Sequence, residues 1–534
     1  MTAAGLTSPC FVDGLSSRVE CGSLAVPVHH DAADGPTIDM AFVRLPARSA
    51  TPAADPVVVI PGGPGQSGRS IVPIAARLLD AANVDRDVIV IDPRGTGHSG
   101  KLACPVEDED FVADRVLPFY ANSHTEASFC GSAMTRLRAE ARATIARLLN
   151  AGPDASVIFA GSGATAGVTR LVSLLGLDHR AGDDHPGLRP LVIIGPYEHH
   201  SNILPWRESA ADVIAVDEAL SGGPDLEALE EILRRNAERP LIVGAFSAAS
   251  NVTGIVTDVV AVTRILKRHG ALAVWDYAGG GPYLPVDMRP APGVALDAVF
   301  LSPHKFAGGP AASGVLAVRG DAVRRKIPTA PGGGTVTFVS PWGHDYSASL
   351  AAREEAGTPD VIGDIRAALV FLVKEAIGQE TIAARDGVLC ERAFAAWSAV
   401  PEIDLLAGDQ RARLPIFSFR VRDGAGGFIH QQLVTRMLSD HYGIQARGGC
   451  ACAGPYGHRL LEIDAAASSV LREAILKGEE IEKPGWCRLN LSYLMEDATV
   501  GFVLDSVAEL ARRAPSLVPL YACDRTTARF SASG

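Results

Sequence analysis

Helix-like and strand-like segments alternate regularly between residues 133 and 318, and this alternation most restricts the possible folds. Apolar residues from Met134 to Leu148 recur at helical spacing, and Asn150-Ala151-Gly152-Pro153 ends that predicted helix. Short runs rich in β-branched residues follow, with further helical patterns at residues 226–235 and 256–268. The predicted strands are residues 157–159, 191–194, 241–245, 272–275, 298–301 and 314–318. Such alternation predicts an α/β fold, a mostly parallel sheet with helices on both faces.

The two ends of the chain have different patterns. Four short apolar runs precede residue 100, at 22–26, 38–43, 57–60 and 88–91. The last two lack polar alternation and lead into Gly/Pro-rich turns, which predicts buried parallel strands. After about residue 385, strands at 416–421 and 487–491 with helices near 431–440 and 498–512 predict a smaller α+β domain. We therefore predict three parts: residues 1–105, 116–385 and 386–520.

Charge and composition exclude several classes of partner and location. The 534 residues carry 61 acidic and 49 basic side chains, a net charge of −12, which argues against nucleic acid or an anionic membrane as partner. Neither a signal peptide nor an apolar run of about 18 residues is visible, so we predict a cytoplasmic protein. Nine cysteines in so long a chain do not form a disulfide framework, and an odd number leaves at least one thiol free.

Several candidate ligand-binding residues follow predicted strands, where open α/β sheets bind their ligands. Lys305, in the segment Ser302-Pro303-His304-Lys305, could form a Schiff base with an aldehyde cofactor. Asp276 could pair with a pyridinium nitrogen, and the glycine-rich turn from Gly161 to Thr165 could cradle a phosphate. Taken singly, these residues are better explained as a solvated loop lysine, a turn aspartate and a common glycine turn.

In chain order, however, these segments resemble the class V aminotransferase superfamily, and within it the cysteine desulfurase/selenocysteine lyase branch. The resemblance runs from about residue 120 to about residue 512. The matching segments are Gly163-Ala164-Thr165, Glu198-His199-His200-Ser201-Asn202, Ser250-Asn251, Asp276-Tyr277-Ala278, Ser302-Pro303-His304-Lys305, Glu355-Ala356-Gly357-Thr358-Pro359 and Arg447-Gly448-Gly449-Cys450-Ala451-Cys452-Ala453. The resemblance implies the fold-type I architecture of pyridoxal 5′-phosphate enzymes, with a large domain and a small C-terminal domain.

The same resemblance implies how the cofactor would be held. Lys305 would bind it covalently and then move the α-proton of an amino acid substrate. His199 would stack on the pyridine ring, and Asp276 would bind the ring nitrogen. The phosphate would be bound by Gly163, Ala164, Thr165, Ser302 and His304. Thr335, in Gly332-Gly333-Gly334-Thr335, matches a threonine that reaches the phosphate of the partner subunit, which implies a homodimer with shared active sites.

For the substrate, the resemblance assigns Asn251 and Arg488 to its carboxylate, which a guanidinium can bind through two parallel hydrogen bonds. Cys452 matches the nucleophilic cysteine that takes the sulfur as a persulfide and leaves alanine, and a sulfur-acceptor protein would then be a partner. The alternative for Cys450 and Cys452 is that both are small buried residues of a Gly/Ala loop. A C-x-C pair could also bind a metal, but no second Cys/His pair at ligand spacing lies nearby in the sequence, which argues against a metal site. One departure concerns Gly279, because the family often has a glutamine there.

Residues 57–68 and 87–100 resemble the start of tripeptidyl/prolyl aminopeptidase-type α/β-hydrolases. The match includes Val57–Gly68 with its Gly62-Gly63-Pro64-Gly65 turn, and Asp92-Pro93-Arg94-Gly95. A serine on a G-x-S-x-G elbow should follow, but the segments around Ser67 and Ser99 only approximate that motif. We therefore predict a partial hydrolase-like segment without its nucleophile.

The leading hypothesis is a pyridoxal phosphate enzyme that acts on an amino acid, as a cysteine desulfurase or related C–S lyase. An aminotransferase, epimerase or other lyase that does not use Cys452 is the alternative of the same class. A serine hydrolase and a non-catalytic fusion protein are alternatives of other classes. We predict no metal site.

Overall fold

The structure is a computed structural model that describes residues 7–15, 17–27, 37–49, 51–61, 67–93, 96–99, 120–121, 123, 126–178 and 188–532. Its contacts divide the chain into two compact units, residues 1–118 and 119–534. In the described part of the chain, no helix combines the length and the apolar character needed to cross a bilayer.

The described residues of the first unit form a five-stranded sheet and one α-helix. Its elements are β1 (Thr7–Cys10), β2 (Val19–Pro27), β3 (Thr37–Leu45), β4 (Val57–Val59), α1 (Gly68–Leu78) and β5 (Val88–Ile91). The strand order is β1-β2-β3-β5-β4, and only β4 and β5 are parallel to each other. A disulfide between Cys10 and Cys21 links β1 to β2.

The predicted parallel pairing at this end of the chain is confirmed, but the predicted burial of the first strand is wrong. Val57 lies opposite Val88 in the parallel pair, and α1 forms the crossover between the strands. Val88 and Val90 are fully buried, whereas Val58 is 50% exposed. The reason is that β4 is an edge strand, with a neighbour on one side only.

The second unit begins with a seven-stranded sheet. Its elements are α2 (Phe129–Leu148), β6 (Ala155–Phe159), α3 (Ala164–Leu174), β7 (Leu191–Ile194), α4 (Leu204–Arg207), β8 (Asp212–Ala215), α5 (Leu226–Arg235), β9 (Ile242–Ser247), α6 (Val259–Arg268), β10 (Leu272–Asp276), β11 (Ala298–Leu301) and β12 (Val315–Arg319). The order is β6-β12-β11-β10-β9-β7-β8, and β12 alone runs antiparallel to its neighbours. The predicted mostly parallel sheet is therefore confirmed.

Both faces of this sheet are covered, as the continuous apolar strands predicted. Leu191 and Ile193 pack into one core cluster, while Val192 and Ile194 pack into another. The edge strand β8, which the sequence pattern did not predict, is only half-buried. Helix α6 begins three residues later than predicted, because Thr257 still bonds to the Ala248 carbonyl and the Asp258 side chain then caps the helix.

The rest of the unit consists of short hairpins, helices and an antiparallel sheet. Its elements are β13 (Val336–Ser340), β14 (Gly343–Tyr346), α7 (Leu350–Glu354), α8 (Val361–Ile377), α9 (Gln379–Trp397), β15 (Ile403–Leu405), β16 (Ile416–Arg422), β17 (Phe428–Ile429), α10 (Gln431–Tyr442), β18 (Arg447–Gly449), α11 (Gly454–Leu460), α12 (Ala465–Leu476), β19 (Trp486–Asn490), α13 (Asp497–Leu517), β20 (Tyr521–Asp524) and β21 (Arg529–Ala532). The sheet order is β15-β16-β19-β18, and α9, α10 and α13 share a core with it. This arrangement agrees with the α+β pattern predicted here, and a boundary at residue 385 stays a prediction.

Candidate active site

The predicted site residues follow strands of the large sheet that run in the same direction. Asp276 is the last residue of β10, Ser302 follows β11, and the turn before Gly163 follows β6. The loop with His199 follows β7, which is also parallel to its neighbours. Because parallel strands end at the same edge, the fold gathers these residues where an α/β sheet binds ligands.

A cradle of small and polar residues forms at the start of α3. Gly163 has φ 104°, and the backbone N–H of Ala164 donates to Ser302 Oγ over 3.0 Å. A Cβ at position 163 would lie 2.6 Å from His304 Cε1, so only glycine fits there. Thr165 Oγ1 lies 2.7 Å from Ser201 Oγ. The structure thus brings together the predicted phosphate-binding residues at the N-terminus of an 11-residue helix, where an anion is favoured.

Asp276 is a buried carboxylate with spare hydrogen-bonding capacity. It is 4% exposed, and its Oδ1 accepts a hydrogen bond of 2.7 Å from the Ala278 N–H. Within the described residues, no other donor reaches this carboxylate. Burial raises the pKa of Asp276 to about 6, against the opposing effects of that hydrogen bond and of Lys305. A cationic ring N–H next to it would favour the charged form.

Glu198 lies close to Asp276. It belongs to the matching segment Glu198-His199-His200-Ser201-Asn202, but the sequence assigned it no role. Its carboxyl is 3% exposed and accepts hydrogen bonds from the Ser247 N–H, the Ser247 hydroxyl and the Asn202 amide. Burial, together with the charge of Asp276, raises the pKa of Glu198 to about 8, and the hydrogen bonds from Ser247 and Asn202 oppose this rise. These bonds hold the loop after β7 against the end of β9, so Glu198 positions that loop. Residues 198 and 247 are distant in the sequence, and only the structure shows that they are in contact.

Lys305 ends a single 3₁₀ turn, Pro303–Lys305, and its side chain remains exposed to solvent. Desolvation by the groups around it lowers the pKa of Lys305, and Asp276 opposes this shift. Arg488 and Arg447 lower the pKa of this ammonium further, whereas Cys452 raises it. The side chains predicted to act on cofactor and substrate therefore form one electrostatic cluster around Lys305.

His199 carries no charge at neutral pH in this cluster. Burial, and then the positive charges of Lys305 and its neighbours, lower the pKa of His199 to about 4. Its Nδ1 accepts a hydrogen bond of 3.1 Å from the Ser201 N–H, which orients the ring. A neutral, oriented imidazole suits stacking on an aromatic ring.

Asn251 and Arg488 are joined and retain unused polar atoms. Arg488, on β19, donates from Nη1 to the Asn251 carbonyl over 2.8 Å. Arg488 Nε and Asn251 Oδ1 are buried without a hydrogen-bond partner among the described residues. Buried polar groups are normally satisfied, so these atoms indicate a polar ligand. A substrate carboxylate fits Arg488, and the cofactor or substrate amine fits Asn251.

Cys452 lies in a backbone segment that neighbouring residues hold in an unfavourable conformation. Ala451 and Cys452 both have positive φ, 51° and 56°, which costs free energy in residues with a Cβ. The Cys452 carbonyl accepts from the His200 N–H at 2.8 Å, and His200 Nε2 accepts from the Gly454 N–H at 2.9 Å. Asn251 Nδ2 donates to the Ala451 carbonyl over 2.8 Å. His200, to which the sequence assigned no role, therefore positions the cysteine loop.

Thr335 is not part of this cluster in its own chain. Its hydroxyl is buried and donates to the Gly332 carbonyl over 2.7 Å, and no described contact joins it to Lys305 or Ser302. Its predicted contact with a partner subunit stays a prediction. At Gly279, a Cβ would lie 3.6 Å from Asn251 Cβ, so nothing in the packing excludes a side chain there.

In the first unit, the two candidate serines have structural hydrogen bonds. Ser67 Oγ donates to Asp92 Oδ1 over 2.9 Å. Ser99 is fully buried, and its hydroxyl donates to the Asp92 carbonyl over 2.7 Å. Neither serine bonds to a histidine in the described part of this unit. The Gly62-Gly63-Pro64-Gly65 turn, Arg94 and Gly95 lie outside the described residues.

Residues 110–476 match the family model described as aminotransferase class V. A probable cysteine desulfurase of Halalkalibacterium halodurans is 28% identical over 366 residues, covering 68% of this chain and 84% of the relative. A probable cysteine desulfurase of Staphylococcus aureus is 26% identical over 351 residues, 66% of this chain and 81% of the relative.

Solved structures of similar fold cover about three quarters of this chain. An apo cysteine desulfurase of Thermococcus onnurineus superposes with a TM-score of 0.60 at 24% identity, over 74% of this chain and 89% of that chain. The cysteine desulfurase CsdA of Escherichia coli, in an S-sulfonic acid form, superposes with a TM-score of 0.57 at 22% identity, over 74% and 88%. These similarities confirm the fold expected for this region.

Proposed function

The chain belongs to the aminotransferase class V family, and we propose that within this family it is a pyridoxal phosphate-dependent cysteine desulfurase. The observation that carries the proposal is that Asn251 accepts a hydrogen bond from Arg488 and donates one to the Ala451 carbonyl, which brings the carboxylate-binding arginine and the Cys452 loop together. A nucleophilic thiol, an amine of lowered pKa and a carboxylate-binding guanidinium are the groups that removal of sulfur from cysteine requires.

The chain's residues fit the cofactor. The glycine-only cradle with Ser302, His304 and Thr165 suits the phosphate, and Asp276 suits a protonated ring nitrogen. Lys305 would hold the aldehyde carbon, with His199 over the ring. When bound there, pyridoxal phosphate supplies an electron-withdrawing ring that acidifies the substrate's Cα–H and weakens its Cβ–S bond.

Each residue then has a defined task. Arg488 binds the carboxylate of the incoming cysteine, Asn251 Oδ1 accepts from its amine, and the Lys305 amine takes the α-proton. The Cys452 thiolate attacks the substrate sulfur, so that an S–S bond forms while the Cβ–S bond breaks. The bonding electrons of the broken bond stay with Cβ, which gains a proton as alanine forms. Overall, cysteine and the Cys452 thiol become alanine and a Cys452 persulfide.

Further features of the proposal concern partners and location. We place the protein in the cytoplasm as a homodimer whose Thr335 completes the partner's site, with a sulfur-acceptor protein as the next reactant. Residues 116–385 and 386–520 would be the two domains of the enzyme. Residues 1–105 would be a partial α/β-hydrolase-like segment; the purely structural hydrogen bonds of Ser67 and Ser99 support its lack of a nucleophile.

Cofactor binding is tested by the visible absorption of the purified protein. The wild type should show the absorption band of lysine-bound pyridoxal phosphate, and Lys305→Ala should lose it. Lys326→Ala, an exposed lysine of the same unit, is the control that should retain the band. A protein that takes up no added pyridoxal phosphate would contradict the whole proposal.

The reaction is tested by product identification with L-cysteine and a reductant. The wild type should form alanine and sulfide in equal amounts, and Cys452→Ser should lower both by at least about 100-fold, because the attacking thiol is gone. Cys130→Ser, which replaces another half-exposed free cysteine, should leave them unchanged. Amino transfer to an oxo acid without sulfide release would instead favour a class V aminotransferase.

A further inference from the structure

A cavity of about 390 Å³ lies beside the cysteine loop. Cys450 and Cys452 both line it, together with Trp486 of β19 and the turn residues Thr527 and Ala528 between β20 and β21. We name it the hairpin cavity. The family match ends at residue 476, so Trp486 and the hairpin turn lie beyond it.

The hairpin cavity contains polar groups that have no partner. Trp486 is fully buried, and its Nε1–H has no hydrogen-bond acceptor among the described residues. Arg447, which also lines the cavity, forms no ion pair within the described part of the chain. The other cation of the lining, Lys483, is paired with Glu480. An unpaired N–H donor and an unpaired guanidinium in one cavity suit a small anionic group.

The two cysteines are within reach of each other. Residues two positions apart have Cα atoms no more than about 7 Å apart even in an extended chain. Ala451 and Cys452 have φ of 51° and 56°, so the chain turns here and the separation is shorter. Sulfur atoms can bond when Cα atoms are about 4.4–6.8 Å apart. Both thiols are free and half-exposed, as an exchange of sulfur between them requires.

We propose that Cys450 is a relay thiol that takes the sulfur from Cys452 and holds it in the hairpin cavity. This inference rests on the proposed desulfurase function. The Cys450 thiolate attacks the outer sulfur of the Cys452 persulfide; the S–S bond at Cys452 breaks and a new S–S bond forms at Cys450. Cys452 leaves as a thiolate, so the exchange needs no oxidant or reductant. Cys452 is then free to act on a second cysteine while Cys450 carries the first sulfur.

The test is the burst of alanine formed by the full-length holoenzyme on rapid mixing with L-cysteine, before thiols in solution remove sulfur from the protein. The wild type should form two alanines per chain, Cys450→Ser one, and Cys452→Ser none. Cys130→Ser, the control, should form two, because this cysteine lies on α2, outside the cavity. Mass spectrometry of the alkylated peptide should place one added sulfur on each of Cys450 and Cys452 in the wild type.

The outcomes separate the relay from the reaction on which it rests. One alanine per chain with sulfur on Cys452 alone would overturn the relay and leave the desulfurase intact. Two alanines with both sulfurs on Cys452, as a longer sulfur chain, would also overturn it. No alanine from any variant would contradict the desulfurase function itself. Sulfur on Cys450 in the wild type but not in Cys452→Ser would establish the direction of transfer.

Discussion

At the scale of single residues, neighbouring charges and burial decide the chemical state of each side chain. His199 has a pKa near 4 because it is buried beside Lys305, Arg447 and Arg488. Without them an exposed histidine would titrate near pH 6.5. Its ring is therefore neutral over the range in which the protein works, and its contribution to cofactor binding should come from stacking rather than from charge.

Replacing His199 by alanine should weaken pyridoxal phosphate binding about tenfold, or by about 1.4 kcal/mol, because a ring contact is lost. His199→Phe should bind within about threefold of the wild type, since it keeps an uncharged aromatic ring. Dissociation constants from titration of the apoprotein provide the measurement. His344→Ala, at an exposed histidine, is the control. If the phenylalanine variant binds as weakly as the alanine variant, stacking is not what His199 contributes.

Asp386, on α9, makes a second residue-scale prediction. It is 5% exposed, its Oδ1 has no partner among the described residues, and burial raises its pKa to about 7. In the unfolded chain this carboxyl ionises near pH 4. The folded protein therefore binds the extra proton between about pH 4 and pH 7, and the free energy of unfolding falls as pH rises through that range.

Asp386→Asn should abolish this fall. Above pH 7 we expect the variant to be more stable than the wild type by on the order of 1–3 kcal/mol, with no difference below pH 4. Chemical denaturation across this pH range measures it. Asp505→Asn, at an exposed position of α13, should show no such pH dependence. A constant difference at all pH values would mean that packing, and not ionisation, separates the two proteins.

At the scale of elements, the cysteine loop between β18 and α11 is ordered by residues from other parts of the chain. His200 and Asn251 bind its carbonyl and N–H groups, and they hold Ala451 in a conformation that glycine adopts more easily. This backbone conformation lowers the stability of the loop, and in it Cys452 is presented to the Lys305 cluster.

Ala451→Gly should relieve the strain and raise the free energy of unfolding by up to about 1 kcal/mol. The same change should slow alanine formation several-fold, because a freer loop holds Cys452 less often in the attacking position. Thermal unfolding and steady-state rates measure the two effects. Ala407→Gly is a matched control, since Ala407 also has a positive φ of 49°. It should gain stability without a change in rate; equal rates in both variants would contradict the positioning argument.

At the scale of the whole molecule, Thr335 lies apart from the other candidate site residues. Its hydroxyl donates within its own turn to Gly332, its carbonyl accepts from the Ser347 N–H, and none of its described contacts reaches the Lys305 cluster. In the proposed homodimer Thr335 would serve the partner's phosphate, since two-fold symmetry gives each site one threonine from the other chain.

Co-expression of Lys305→Ala and Thr335→Val chains tests this arrangement. In a mixed dimer, one of the two sites should contain both Lys305 and Thr335. Because half of the randomly paired dimers are mixed, about a quarter of wild-type activity should be restored. Each variant alone should be far less active. Co-expressed Lys305→Ala and Cys452→Ser chains are the control, and they should show no recovery because both groups belong to one chain's site. A lack of recovery in the first mixture would place the action of Thr335 within its own subunit.

By itself, the sequence determined the local elements and the chemistry at their ends. Helical and strand periods predicted the large sheet, because apolar side chains must face the cores on both of its faces. The order of the motifs identified Lys305, Asp276 and the Gly163 turn. These residues lie together because they follow strands that run in the same direction.

Only the tertiary structure decided how the site is tuned. Three features depend on segments that are far apart in the chain: the hydrogen bond between His200 and Gly454, the burial of Glu198 near Asp276, and the unpartnered atoms of Asn251 and Arg488. His200 and Gly454, for example, are 254 residues apart. Periodicity and local propensity carry no information about such contacts, because these arise from the packing of whole elements. The left-handed Ala451–Cys452 pair shows the same limit, since neighbours in space impose a conformation that the local sequence disfavours.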